Sequence, residues 1–284
     1  MTSGAMSLSG WLLSGSFLEV SGRRIFYREE GRGPPIVFIH GFPTSSLDWA
    51  PVVRLLRDRY RCITFDMLGF GASDKPRARY SYAQQLVVLD AVLRATGVHE
   101  SMVVSHDYGA TVGQLALAGR SSLRVTRAIF LNGGVVPGLH RPLLVQRVLA
   151  GPLGPALGPL LVHRRTMERS LRKIVVRMDR LDMQEIWTSI AANDGARVVP
   201  RLLHYIAERR QMTDLLLAAL TTARVPLGFA WGVDDPVSGG HVLEWVRANL
   251  PASQVLALDG VGHYPQLEAP DDVAAFVARF AAGG

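Results

Sequence analysis

Apolar and polar positions along the chain switch between two periods. Phe17 to Val20 and Arg24 to Arg28 alternate at period two around Ser21-Gly22, which predicts a hairpin. Ile36 to Ile39, Arg61 to Phe65, Ser101 to Val104, Val125 to Leu131, Pro226 to Trp231 and Gln254 to Leu258 are short runs, apolar or nearly so, as central parallel strands require. Between them, helical spacing predicts helices over Trp49–Arg57, Tyr82–Thr96, Ala110–Ala118, Val242–Asn249 and Pro270–Phe280, with Gly97 as a stop signal. From Val135 to Ala223 the strand signal disappears. Helices are expected there around Leu143–Ala150, Met167–Val176, Gln184–Ala192 and Pro200–Arg209. Strands alternating with helices predict an α/β chain with a mostly parallel, doubly wound sheet. The helical stretch reads as a cap inserted over the carboxyl ends of the strands. The expected division is a flexible N-terminus over 1–14, a core over 15–136 and 224–284, and a helical cap over 137–223.

The 284 residues are 48% hydrophobic and 19% charged, enough for one large domain and inconsistent with disorder. The N-terminus lacks the basic region of a signal peptide. Leu143 to Val162 is interrupted by Gln146, Arg147, Pro152, Pro155 and Pro159, so it is not expected to span a membrane. A single cysteine, Cys62, permits no internal disulfide, excludes a cysteine-based zinc site and reads as a buried strand thiol. A cytoplasmic location is expected. The net charge of +7 is concentrated in the cap, where Leu139 to Thr222 hold 13 Arg and Lys against 7 Asp and Glu. Two readings stay open: solvated helix faces, or weak attraction to a membrane surface. No nucleic-acid motif accompanies the charge, and the Gly69–Gly71 loop lacks a dinucleotide or phosphate fingerprint. No nucleotide, cofactor, metal or nucleic-acid partner is expected. Oligomerisation stays open.

Chemistry concentrates at strand ends, where open α/β sheets place their ligands. Ser105-His106-Asp107-Tyr108-Gly109 joins a strand to a helix, with small residues two before and two after Asp107. That is the pattern of a nucleophile elbow, with a carboxylate where a serine is usual. A helix N-cap is the alternative for Asp107. Asp235 follows the first strand after the cap, with Asp234 as its rival. His263 follows the last strand, in Gly262-His263-Tyr264-Pro265. Nucleophile, acid and histidine thus occur in the order of the hydrolase arrangement.

With those residues the sequence resembles the α/β-hydrolase family over Phe17 to Phe280. It is similar to its Asp-nucleophile branch, the epoxide hydrolases and haloalkane dehalogenases. His40-Gly41-Phe42-Pro43 matches the HGxP motif of epoxide hydrolases, and HGFPTSSLDW, LGFGASDKP, SHDYG and HYPQLE resemble the mesoderm-specific transcript protein group still more closely. The resemblance implies that Asp107 forms an alkyl-enzyme ester and that His263, oriented by Asp235, activates the water that cleaves it. Backbone N–H groups of Phe42 and Tyr108 would form the oxyanion hole. The epoxide hydrolases use two cap tyrosines as proton donors; this cap has Tyr205 alone, which is either that donor or a packing residue. His40, Trp187, Met183 and His204 are expected to contact a small apolar substrate, with an epoxide as the first expectation. A dehalogenase, or another ester-forming hydrolase, is the alternative. Tyr108 and Phe42 argue against the dehalogenase, since their side chains supply no N–H for a halide. A hydrolase-fold binding or membrane-associated protein with little turnover is a further alternative.

Overall fold

The computed structural model describes residues 7–283. Its centre is a single eight-stranded sheet in the order β1-β2-β4-β3-β5-β6-β7-β8. The strands are β1 (Ser16–Val20), β2 (Arg23–Glu30), β3 (Pro35–Ile39), β4 (Arg61–Phe65), β5 (Glu100–His106), β6 (Arg124–Leu131), β7 (Leu227–Gly232) and β8 (Gln254–Leu258). The β1–β2 hairpin is antiparallel and adds antiparallel to β4; the other pairs are parallel. The hairpin turn places Ser21 and Gly22 at φ 51° and 70°, a left-handed backbone. The chain reverses its direction of travel across the sheet at β3, which lies between β4 and β5. That switch point opens the crevice into which β5 delivers Asp107.

Period-two alternation divides the strand side chains between two cores. Val37, Ile39, Ile63, Phe65, Val103, Phe130 and Phe229 face one side, with α3 (Tyr82–Thr96), α4 (Tyr108–Leu117) and α12 (Gly240–Asn249) packed on them. Ile36, Phe38, Cys62, Met102, Val104 and Ile129 face the other, against α2 (Ala50–Leu56) and α13 (Pro270–Ala281). Burial pushes the Cys62 thiol up to about 12, as an inert strand thiol requires. Helix α3 begins at a Ser81/Gln84 capping box and ends on Gly97 at φ 65°.

Between β6 and β7 the chain forms α5 (Leu144–Ala150), α6 (Gly154–Leu161), α7 (Arg164–Leu171), α8 (Met183–Ala191), α9 (Val199–Leu202), α10 (Tyr205–Gln211) and α11 (Thr213–Thr221). Leu149, Leu171, Leu202 and Leu216 from this insertion join the first core, so the cap is packed continuously onto the sheet. The single helix expected over Pro200–Arg209 is two, because the helical hydrogen-bond ladder breaks at Leu203-His204.

The N-terminal expectation needs correction. Residues 1–6 lie outside the described residues, but Leu8–Leu13 forms α1, capped by Ser7. Trp11 is buried, donates its indole N–H to Ser46 Oγ at 3.1 Å and lies under the Arg28 guanidinium. Leu8 N–H also donates to Glu185 of the cap at 2.7 Å. One buried aromatic and two long-range hydrogen bonds fix a helix too short to be stable alone. Among the described residues no helix is long and apolar enough to cross a membrane.

Candidate active site

Asp107 sits at φ 46°, ψ −110°, a conformation that costs a non-glycine residue energy and persists only where its surroundings impose it. The surroundings are close-packed. A Cβ on Gly109 would lie 2.4 Å from the His40 carbonyl oxygen, and one on Gly133 would lie 2.7 Å from Asp107 Cα. Only glycine lets these backbones meet. The Asp107 N–H donates to the Asn132 carbonyl at 3.0 Å. Its side chain makes no capping bond to α4, so the N-cap alternative falls away. Instead Asp107 Oδ2 accepts the Phe42 N–H at 2.9 Å, and Oδ1 lies 3.6 Å from His263 Nε2, a near approach too long for a hydrogen bond.

His263 Nδ1 donates to Asp235 Oδ2 at 2.7 Å. Asp235, rather than Asp234, is the acid that meets the imidazole; Asp234 accepts the Gly260 N–H instead. Asp235 also accepts from the Val237 and Ser238 N–H groups, the Ser238 hydroxyl and the Asn132 amide. Asp107, Asp235 and His263 are all buried. Burial alone would raise both carboxyls and depress the imidazole. The facing charges outweigh it: His263 holds Asp107 and Asp235 below the usual carboxylate range, and the two carboxylates hold His263 above the usual histidine range. The two carboxylates thus favour the protonated form of the imidazole between them.

Two further residues organise this triad. Asn132 ties the nucleophile's turn to the acid's: besides accepting from Asp107 N–H, its side chain accepts from Gly232 N–H at 2.6 Å and donates to the Gly232 carbonyl at 2.8 Å. Buried Glu268 accepts four backbone N–H groups, those of Val176, Arg177 and Gly262 on Oε2 and that of Tyr264 on Oε1. His263 N–H donates to the Ile174 carbonyl at 2.7 Å. The histidine loop is thus clamped to the cap. Both residues lay in stretches marked by sequence, but their partners are dispersed along the chain.

A largely apolar cavity opens over the triad, with Asp107, His263, Phe42 and Tyr264 at its base and Leu143, Leu149, Leu161 and Leu171 among its cap walls. Several expected contacts lie elsewhere. His40 is fully buried, with Nδ1 donating to the Gly41 carbonyl and Nε2 accepting the Met67 N–H; it braces the loop that carries Phe42. Trp187 and Met183 pack against the cap's side of the core. His204 faces Arg79 outside the cavity. Tyr108 stacks on Tyr82 at 4.7 Å, which leaves its backbone at the site and its ring behind it. Tyr205 is buried 5.9 Å from the Phe42 ring and 5.1 Å from that of Tyr108, and its hydroxyl has no hydrogen-bond partner. It does not line the cavity, although burial and the nearby Asp107 charge both raise its pKa. His140, a lone histidine with no motif around it in the sequence, does line it. Among the described residues no group of three or more His, Cys, Asp or Glu is placed to hold a metal ion.

A strained Asp elbow, a histidine from the last strand's loop and an acid after β7 define an enzyme with an Asp–His–Asp triad, on a fold shared by many hydrolases. The chain belongs to the α/β-hydrolase fold family, whose model matches residues 34–270. It is 38% identical to the mesoderm-specific transcript homolog protein of Bos taurus, over 93% of this chain and 84% of the relative. It is 28% identical to the cis-3-alkyl-4-alkyloxetan-2-one decarboxylase of Shewanella oneidensis, over 93% of this chain and 87% of the relative. Among solved structures, a loop variant of the haloalkane dehalogenase DbeA from Bradyrhizobium elkanii superposes with a TM-score of 0.81 at 26% identity, covering 95% of this chain and 96% of that one.

Proposed function

We propose that this chain is a two-step displacement hydrolase. Asp107 attacks an sp³ carbon bearing a leaving group and forms an alkyl-enzyme ester, which water activated by His263 then hydrolyses. The observation that carries this reading is the carboxylate itself, raised on the elbow and held ionised by its neighbours. An ionised carboxylate attacks without a base, so His263 is free for the second step.

Electrostatics order the two steps. Before reaction, two carboxylates hold the proton on His263. Esterification neutralises Asp107 and removes one of them. The imidazole then releases its proton more readily and becomes a base for water when one is needed. Asp235 stays ionised and keeps the ring oriented. Phe42 N–H, already 2.9 Å from Oδ2, is aimed at the oxygen that gains charge as water attacks the ester; Tyr108 N–H is the proposed second donor. The reaction so written uses this chain's own groups and water.

The leading substrate class is a small apolar haloalkane, supported by the apolar cavity and by the likeness to the dehalogenase DbeA. The second is a strained oxygen ring such as an epoxide. The unpartnered Tyr205 hydroxyl near Asp107 and the likeness to a decarboxylase of oxetan-2-ones favour it. A panel of C3 to C8 haloalkanes and epoxides, assayed for halide release and diol formation, separates the two. Turnover surviving Asp107→Ala would sink both.

A further inference from the structure

His140 is a polar side chain on the cavity wall with nothing to bond. It shares that wall with Asp107 and His263, is 9% exposed, and neither ring nitrogen has a hydrogen-bond partner. Buried imidazole nitrogens are ordinarily satisfied. The backbone around His140 is held in place: Arg141 N–H donates to the Val237 carbonyl at 3.0 Å, and the His241 ring bonds the Leu139 carbonyl at 3.0 Å. Val237 N–H in turn donates to Asp235, so this segment is tied to the triad's acid. Arg209, whose charge reaches the His140 ring, is 2% exposed, lies over the Tyr205 ring and has no ion pair among the described residues. A buried, unpartnered N–H on a cavity wall, within reach of a buried guanidinium's charge, is a place for an anion.

We infer that a His140 ring N–H is the hydrogen-bond donor that receives the departing halide, a role that rests on the displacement reading above. In the first step an Asp107 oxygen–carbon bond forms, the carbon–halogen bond breaks, and the halide leaves with the bonding pair. No proton moves. In the second, His263 sheds its resting proton to solvent and takes one from the water that adds to the ester; the acyl carbon–oxygen bond then breaks, the alcohol leaves with the added hydroxyl's proton, and Asp107 is again a carboxylate. The sum is alkyl halide plus water giving alcohol, halide ion and a proton.

The charge state of the ring fits a halide better than an alkoxide. Burial and Arg209 push His140 down to about 3, against the opposing pull of Asp107 and Asp235, while His263 adds to the depression. The ring is neutral at pH 7. A neutral imidazole donates a hydrogen bond but is a very weak acid. It can cradle an ion that needs no proton; an opened epoxide needs one.

Two readouts test the assignment. Chloride binding to the resting protein is followed by chlorine-35 NMR line broadening. Alkylation of Asp107 by 1-bromohexane is timed by intact mass in a His263→Gln background, where the ester accumulates. His140→Phe, which keeps ring bulk and loses the N–H, should weaken chloride binding and slow alkylation by about ten-fold each, the equivalent of one hydrogen bond. His140→Gln, which restores an N–H, should recover most of both. Parental chloride binding and alkylation in His140→Phe would overturn the inference, as would a Gln variant no better than Phe. If circular dichroism shows His140→Phe unfolded, His140→Leu takes its place as the variant without an N–H, with the same losses of about ten-fold expected and parental values overturning the inference. A His263→Gln parent that no halide or epoxide labels would instead sink the displacement reading, and the inference with it.

Discussion

Replacing Glu268 by Ala removes the carboxylate on which the histidine loop and the cap are jointly anchored. Four N–H donors lose their acceptor: those of Val176 at 2.9 Å and Arg177 at 3.0 Å in part-buried bonds, and those of Gly262 and Tyr264 at 3.0 Å each in buried ones. A buried donor left unsatisfied costs about 1–3 kcal/mol. Taking the low end for each, because water can enter the space, the loss is about 4 kcal/mol. For a chain of 284 residues the entropy of unfolding is roughly 0.6 kcal/mol per degree, so Tm should fall by about 7 °C. Glu268→Gln keeps one oxygen. Turned toward the three donors on the Oε2 side, it leaves only Tyr264 N–H facing an amide, and the fall should be about 2–3 °C. Calorimetry reads both. Activity should follow the same order, with about ten-fold or greater loss in Ala, because Gly262 and Tyr264 flank His263. Equal shifts in the two variants, or shifts under about 1 °C, would refute the clamp.

Asn132→Ala should lower turnover more than stability, since it releases both the Gly232 turn and one bond to Asp235; kcat and Tm measured side by side check this. Gly109→Ala should give little folded protein, because the added Cβ meets the His40 carbonyl at 2.4 Å; soluble yield and circular dichroism read the outcome. The triad's charges predict a pH window for stability. His263, raised on folding, contributes fully below its unfolded value of about 6.5 and loses that contribution as pH rises through the folded one. Asp107 and Asp235, lowered on folding, contribute above about 4 and lose it as pH falls. The stability gap between wild type and His263→Gln should be widest between about pH 4 and 6.5, and urea titrations that show it widest at pH 9 would contradict the ion network.

The elbow was legible in sequence because its requirements are local: a strand, a tight turn between small residues and a helix. The acid and the histidine were legible through chain order and strand ends, although only coordinates decide Asp235 over Asp234 by the 2.7 Å bond to Nδ1. Glu268 and Asn132 were illegible as organisers. Glu268 draws its four N–H partners from the cap at 176–177 and the core at 262–264, and no spacing rule joins those stretches. His140 was hidden for a related reason, since a lone histidine in a Pro/Gly-broken segment carries no periodic signal. Helical spacing also could not place Trp187, Met183 or His204, because a cap helix buries a similar stripe whether it meets a cavity or a core. The break at Leu203-His204 keeps nearly helical backbone angles, and the sequence around it keeps its period.

The central claim is that the oxygen delivered to carbon comes from Asp107 and not from water. A single turnover in oxygen-18 water, with enzyme in excess over the best substrate of the panel, tests it directly. The account predicts that the first alcohol carries oxygen-16 and that oxygen-18 appears in the Asp107 peptide. A first-turnover alcohol labelled with oxygen-18, over an unlabelled Asp107, would contradict it.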